Sequence, residues 1–153
     1  MIGYSGSIIM GAGAEHLDTI EIKEKYYNIA KNTFYNMGFN NNITMYLGDA
    51  KNVINKLCED GMQYDMIFLD GAKGQYLYYL PVLTQLIGTK GVIFADNVLL
   101  QGMVEGADFV PHKKRTMVVN LRKYLDIVSR EPYETNLIRL EDGIAITKYK
   151  GEI

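Results

Sequence analysis

The sequence predicts a single open α/β domain, residues 1–153, built on a mostly parallel sheet and closed at its C-terminal end by an antiparallel hairpin. Three observations predict it. The runs Tyr64-Asp-Met-Ile-Phe-Leu-Asp70 and Gly91-Val-Ile-Phe-Ala-Asp-Asn97 are too short for helices, have the composition of strands buried on both faces, and stop abruptly on a carboxylate. Stretches with helical spacing separate the strand-like runs, as parallel pairing requires. Two final segments, Tyr133–Leu140 and Ile144–Tyr149, flank Glu141-Asp142-Gly143, a good hairpin turn.

Gly11-Ala12-Gly13-Ala14 reads as a linker: a strand rather than a helix follows it, the wrong context for a phosphate-cradling loop. His16 to Ile22 reads as a strand ending near Glu21. An acid there in a nucleotide-binding α/β fold accepts hydrogen bonds from ribose hydroxyls; the competing reading is a carboxylate opening a surface helix. Lys23 to Met37 is a helix with Tyr26, Ala30, Thr33, Phe34 and Met37 as its core face, closed by Gly38. Ile43 to Leu47 is the next strand, and Asp49 leads into a helix over Lys51 to Leu57, for which it would be an ordinary N-cap. Gly74 to Ile87 carries Tyr76, Tyr78, Tyr79 and Pro81. Pro81 would cost ~3 kcal/mol in a helix interior, so a kink or broken start is expected. Val98 to Pro111 has little periodicity and reads as a mobile loop. Lys113-Lys114-Arg115 opens a helix with Val118, Leu121, Leu125 and Val128 on one face. Basic charge at a helix start opposes the macrodipole, which points to phosphate contact or to a solvated charge run.

Asp70 and Asp96 fall at carboxyl ends of strands, the edge where open α/β sheets bind ligands. Neighbouring strands there would bring Asp70, Asp96 and Asn97 together, an all-oxygen set suited to a hard divalent cation, foremost Mg²⁺. Lys73, three residues past Asp70, is the candidate catalytic residue. An unperturbed lysine with a pKa of ~10.4 is protonated at neutral pH, so Lys73 acts as a base only if its pKa is lowered, and otherwise as an electrostatic clamp.

The 48% hydrophobic content supports a real core, and no apolar run approaches the ~20 residues of a membrane span. The N-terminus lacks the pattern of a signal peptide. A single cysteine, Cys58, excludes an internal disulfide and fits the cytoplasm, where it is expected as a small core residue. A net charge of -2 argues against indiscriminate nucleic-acid binding, so any RNA contact must be local.

The pattern Leu69-Asp70-x-x-Lys73-x-x-Tyr76 followed by Asp96-Asn97 resembles the cation-dependent O-methyltransferases that use S-adenosylmethionine, a family including catechol and caffeoyl-CoA methyltransferases. The resemblance runs from Ile2 to Tyr149 and implies a class I methyltransferase fold, Rossmann-like, with Mg²⁺ as second cofactor. Within the family, the wording of the chain is similar to that of the bacterial enzymes that methylate 5-hydroxyuridine in tRNA. The expected reaction is therefore methylation of that base, with Lys113, Lys114 and Arg115 on the tRNA backbone; a small catechol or a hydroxycinnamoyl thioester is the alternative acceptor. The resemblance also implies that Gly3, Tyr4 and Ser5, within Ile2-Gly3-Tyr4-Ser5-Gly6, face the cofactor's methionine moiety. By position Asp49 and Ala50 would lie beside its adenine, and Asp70 would serve both metal and cofactor. Relatives are commonly dimers, and they carry N-terminal helices and a first strand ahead of the Gly3 loop. The expectation is thus a sheet lacking its middle rung, from truncation, proteolysis or a misassigned start.

Two rival readings remain open on sequence. A nicotinamide-dependent oxidoreductase would use Glu21 equally well but has no use for Asp70, Asp96 and Asn97. An inactive RNA-binding or assembly fragment would use only the basic cluster.

Overall fold

In the computed structural model of the chain, residues 3–106 and 110–152 are described. Ile2, part of the Gly3 loop reading, and residues 107–109 of the expected loop lie outside them. The chain divides into two compact units, Met1–Lys56 and Leu57–Ile153.

The first unit holds α1 (Tyr4–Gly11), β1 (Leu17–Glu21), α2 (Glu24–Asn36) and β2 (Ile43–Leu47), and α3 (Ala50–Glu59) begins in it. β1 and β2 pair in parallel from Leu17↔Ile43 to Glu21↔Leu47. Gly6 permits the close approach of α1: a Cβ there would come within 2.9 Å of the Phe34 ring and 3.0 Å of Leu17. Of the expected core face of α2, Ala30 and Phe34 are buried, but Tyr26 and Met37 are 38% and 52% exposed. Tyr26 instead lies under the Lys23 ammonium, 5.4 Å from its ring centre. The two-stranded sheet is too narrow to cover a wide helix face.

The second unit carries β3 (Met66–Leu69), α4 (Tyr76–Ile87), β4 (Val92–Asp96), α5 (Arg115–Val128), β5 (Tyr133–Ile138) and β6 (Ile144–Tyr149). Its sheet has the order β3-β4-β6-β5. β3 and β4 are parallel, whereas β6 is antiparallel to both β4 and β5, so the closing hairpin forms as its turn chemistry predicts. β4 is interior but buries fully only one face, that of Ile93 and Ala95 at 0% exposure, while Val92 and Phe94 on the other are part-exposed, short of the doubly buried strand expected. β3 departs from that expectation, since Met66 and Phe68 remain 38% and 39% exposed. These two residues share a face with Val92 and Phe94, their partners on β4, which are part-exposed as well, and among the described residues β3 is an edge of this sheet.

Pro81 sits inside α4 without ending it. A proline removes the bond to the carbonyl four residues back, here that of Leu77 in the first turn, so the cost falls where the helix is just starting. The break that the sequence leads one to expect at Pro81 is not there, and a 3-10 turn at Lys73–Gln75 precedes α4. Among the described residues no helix is long and apolar enough to cross a membrane.

Candidate active site

The second unit sets Asp70, Asp96 and Asn97 at one sheet edge. The parallel register of β3 and β4 ends with Leu69↔Ala95. Asp70 is the residue after Leu69 and Asp96 the residue after Ala95, so the two acids leave neighbouring strands at the same level. The Tyr76 hydroxyl ties these strand ends together, donating to the Leu69 carbonyl at 2.8 Å with a longer arm of 3.2 Å to the Asp96 carbonyl. Burial pushes this hydroxyl above the ordinary tyrosine range, and the charges of Asp70 and Asp96 push it the same way. Both carboxylates therefore act on one buried group.

Asp96 is oriented by its own chain: its Oδ1 accepts the backbone N–H of Asn97 at 2.7 Å. Asn97 has φ 54, a left-handed conformation that asparagine tolerates better than most residues. Lys73 Nζ lies 3.5 Å from Asp70 Oδ1, with the lysine side chain 18% exposed against 51% for the aspartate. The turn carrying Lys73 is pinned by Asn120 of α5, whose amide donates to the Gly74 carbonyl at 2.8 Å. A cavity of about 410 Å³ adjoins this edge, lined by Asp96, Asn97, Leu140, Glu141, Asp142 and Ile144.

The segment after Asn97 is a correction. Read from sequence as a mobile loop, it is packed: Val98, Leu99, Leu100, Met103 and Val104 are all buried. Its amides are spoken for as well, Val98 N–H by the Gly143 carbonyl at 3.1 Å, Leu99 N–H by the Asp142 carbonyl at 2.8 Å and Gln101 N–H by Asp142 Oδ1 at 2.9 Å. Arg122 adds bonds from its guanidinium to the Val104 and Met103 carbonyls. The hairpin turn thus doubles as a cradle for the chain leaving the site. Sequence reading missed this use of Asp142, Gly143 and Arg122, along with the tasks of Tyr76 and Asn120. Two of these left a signal: Tyr76 closes the Asp70 motif, and Asn120 is a polar residue between the core positions Val118 and Leu121.

In the first unit, Glu21 ends β1 and its carbonyl accepts Gly48 N–H at 2.9 Å. Burial raises the pKa of its carboxyl above the ordinary value. No cation pairs with it among the described residues, so it is a partly dehydrated acceptor that hydroxyl donors would satisfy, as a ribose would. Asp49 does serve as a helix cap, its Oδ1 accepting Lys51 N–H at 2.8 Å, and Ala50 is the first residue of α3. Gly3, Tyr4 and Ser5 form the start of α1, with Gly3 left-handed at φ 78. A Cβ on Gly3 would meet Ala30 Cα at 3.4 Å and Thr33 Cβ at 3.5 Å. Gly3 is therefore level with the middle of α2, and Glu21 lies ahead of the first turn of that helix. A second cavity, about 250 Å³ and lined by Tyr27, Lys31, Phe34, Tyr35, Ile43 and Met45 among others, lies along α2 and the first half of β2. It is away from the carboxyl ends of the strands and holds none of the expected site residues.

Lys113 and Lys114 fall in a 3-10 turn and Arg115 begins α5. Two residues on, Met117 packs against Gly74, where a Cβ would come within 3.7 Å of its Cα. The basic cluster consequently stands beside the Lys73 turn. Among the described residues no three His, Cys, Asp or Glu side chains group as a metal site. The donor set at this edge is instead two carboxylates and one amide, a hard-oxygen set that suits Mg²⁺. Lys73 Nζ, 3.5 Å from Asp70 Oδ1, would compete with such a cation for this carboxylate.

Comparison with known proteins finds likeness in sequence and in fold. The family profile described as O-methyltransferase matches residues 4–150. Caffeoyl-CoA O-methyltransferase 1 of Nicotiana tabacum is 31% identical over 137 residues, which are 84% of this chain and 56% of that protein. Tapetum-specific methyltransferase 1 of Arabidopsis thaliana is 27% identical over 86% of this chain and 58% of its own length. The chain thus spans just over half the length of these relatives. A crystal structure from Staphylococcus aureus, provisionally assigned as a caffeoyl-CoA O-methyltransferase, is 30% identical with a TM-score of 0.83, covering 97% of this chain and 71% of that one. TomG of Streptomyces achromogenes, solved with S-adenosylmethionine, shares the fold at a TM-score of 0.85 and 22% identity, over 98% of this chain and 70% of its own.

Proposed function

We propose, because the chain belongs to the O-methyltransferase family over residues 4–150, that it serves the transfer of a methyl group from S-adenosylmethionine to a hydroxyl of a small aromatic acceptor with adjacent oxygens. The observation that carries this reading is the in-register end of β3 and β4, which sets Asp70 and Asp96 side by side with Asn97 next in sequence. These three residues would hold a hard divalent cation, and the cavity beside Asp96 and Asn97 has room for one aromatic ring and its substituents. Such a cation, when bound, lowers the pKa of an acceptor hydroxyl and orients it. S-adenosylmethionine supplies the methyl group as a sulfonium.

Glu21 would accept the ribose hydroxyls, Asp49 and Ala50 would flank the adenine, and Gly3, Tyr4, Ser5 and Asp70 would meet the methionine end. Lys73, 3.5 Å from Asp70 Oδ1, would serve as a clamp on an acceptor oxyanion or as the base that takes its proton. Methyl transfer to oxygen asks for little else from the protein than alignment of the nucleophile with the S–CH₃ bond. The single cysteine suits work in a reducing cytoplasm.

A second reading, 5-hydroxyuridine of tRNA as acceptor, is favoured by one observation, the place of Lys113, Lys114 and Arg115 beside the Lys73 turn. Phosphate groups on an acceptor would meet them there, and those of a coenzyme A thioester would do so as well as those of RNA. The experiment is to offer a catechol, a hydroxycinnamoyl thioester and hypomodified tRNA to the protein with S-adenosylmethionine and Mg²⁺. Turnover of the small aromatics supports the first reading, and turnover confined to tRNA replaces it with the second. Stabilisation against heat by NAD, with none by S-adenosylmethionine, would reject both.

A further inference from the structure

The ladder between β3 and β4 ends at Leu69↔Ala95, one residue short of the acids that matter. Beyond that pair the ladder gives out, and a carbonyl past its end needs a donor from elsewhere. Tyr76 supplies one. It is the first residue of α4, seven residues past Leu69, and its side chain returns across the turn it closes to reach Leu69 O at 2.8 Å and Asp96 O at 3.2 Å. One hydroxyl proton is thereby shared between a strand that delivers Asp70 and a strand that delivers Asp96.

The ring is built in, 1% exposed and edge-on to Tyr124 with centroids 5.9 Å apart. It cannot swing away without opening the packing of α4 on α5, so its hydroxyl is a fixed point rather than a passing contact. Lys73 and Gly74 lie within the same turn, which Asn120 pins from the other side.

We propose that Tyr76 is a positioning residue for the cation site: its hydroxyl holds Asp70 and Asp96 at one spacing by acting as an extra rung beyond the last backbone pair. This rests on the reading of Asp70, Asp96 and Asn97 as cation ligands. The ring alone does not do the task. Phenylalanine at this position would fill the same volume and remove the hydroxyl bridge between the two carbonyls, so the strand ends past the ladder would be held less closely.

Tyr76→Phe separates the positioning task from packing. The wild type, Tyr76→Phe and Asp96→Ala are titrated with Mn²⁺, free ion being followed by paramagnetic resonance and the folded fraction by circular dichroism on the same samples. The expectation is that Tyr76→Phe stays folded yet binds Mn²⁺ about 10- to 100-fold more weakly, the range seen when a group orienting a metal ligand is lost. Unchanged Mn²⁺ affinity in Tyr76→Phe, or a loss matched by a fall in folded fraction, overturns the proposal. Should the wild type itself fail to bind Mn²⁺, or Asp96→Ala bind it equally well, the cation site is what fails.

Discussion

Gly143→Ala should loosen the candidate site from the far side of the hairpin. Gly143 has φ +76, and a Cβ there would lie 2.4 Å from Leu99 Cγ and 2.7 Å from its Cδ1. Leu99 is only 4% exposed, so it has no empty space into which to turn. The left-handed backbone costs an alanine about 1–2 kcal/mol, and forcing one extra carbon into a closed contact costs about 1–3 kcal/mol. Together the loss should be roughly 2–5 kcal/mol. Gly102 provides the control, having φ +77 with nothing within 4 Å, so Gly102→Ala should show the backbone share alone. Urea unfolding of the three proteins measures both. Because Leu99 and Val98 hang from the Asp142 and Gly143 carbonyls immediately after Asn97, the alanine should also weaken Mn²⁺ binding in the absence of urea. A Gly143→Ala protein no less stable than Gly102→Ala would refute the packing argument.

The strand-and-helix order was legible because it is written in local chemistry. Ile43–Leu47 and Ile144–Tyr149 come out of the sequence with the bounds that the structure shows, since alternating or continuous apolar runs bounded by Gly and Asp leave little choice. The pairing of Asp70 with Asp96 was legible for the same reason, as both acids end runs that pair. Burial was not, because it depends on what lies beside an element. Both apolar strands leave one face incompletely covered, that of Met66 and Phe68 on β3 and of Val92 and Phe94 on β4, and nothing in Met66-Ile-Phe-Leu69 says which face it will be. The segment from Val98 to Val104 misled for another reason. Its positive-φ residues Asn97, Leu100, Gln101 and Gly102 break every period, yet its apolar side chains still face inward. Lack of periodicity is evidence against a helix or strand, and not against packing.

Asp96→Ala should abolish the dependence of methyl transfer on added divalent cation, read as rate against Mg²⁺ concentration; a rate rising at limiting Mg²⁺ as in the wild type would take Asp96 out of the set. Lys73→Ala should lower kcat by about 100-fold or more, the scale of a lost oxyanion donor, with little change in S-adenosylmethionine affinity. Since the ammonium that competes for Asp70 is gone, Mn²⁺ should bind Lys73→Ala at least as tightly as the wild type, and weaker binding would mean that Lys73 builds the turn instead. The last prediction concerns Glu21, whose carboxyl burial holds above its ordinary value of 4.5. Folding therefore favours the protonated form of this group. Well below pH 4.5 Glu21 is protonated folded and unfolded alike and costs nothing, but as the pH rises through the window between 4.5 and the raised folded value a penalty on the folded state sets in and then stays. Glu21→Gln removes that penalty, so it should melt above the wild type at pH 7 and together with it near pH 4, while binding S-adenosylmethionine more weakly at neutral pH. Such an exchange of stability for binding is what a carboxylate kept half-dry for a hydroxyl-bearing ligand should show. A melting difference that is the same at both pH values would mean that burial of Glu21 has no bearing on its charge, and an unchanged cofactor affinity would remove it from the ribose.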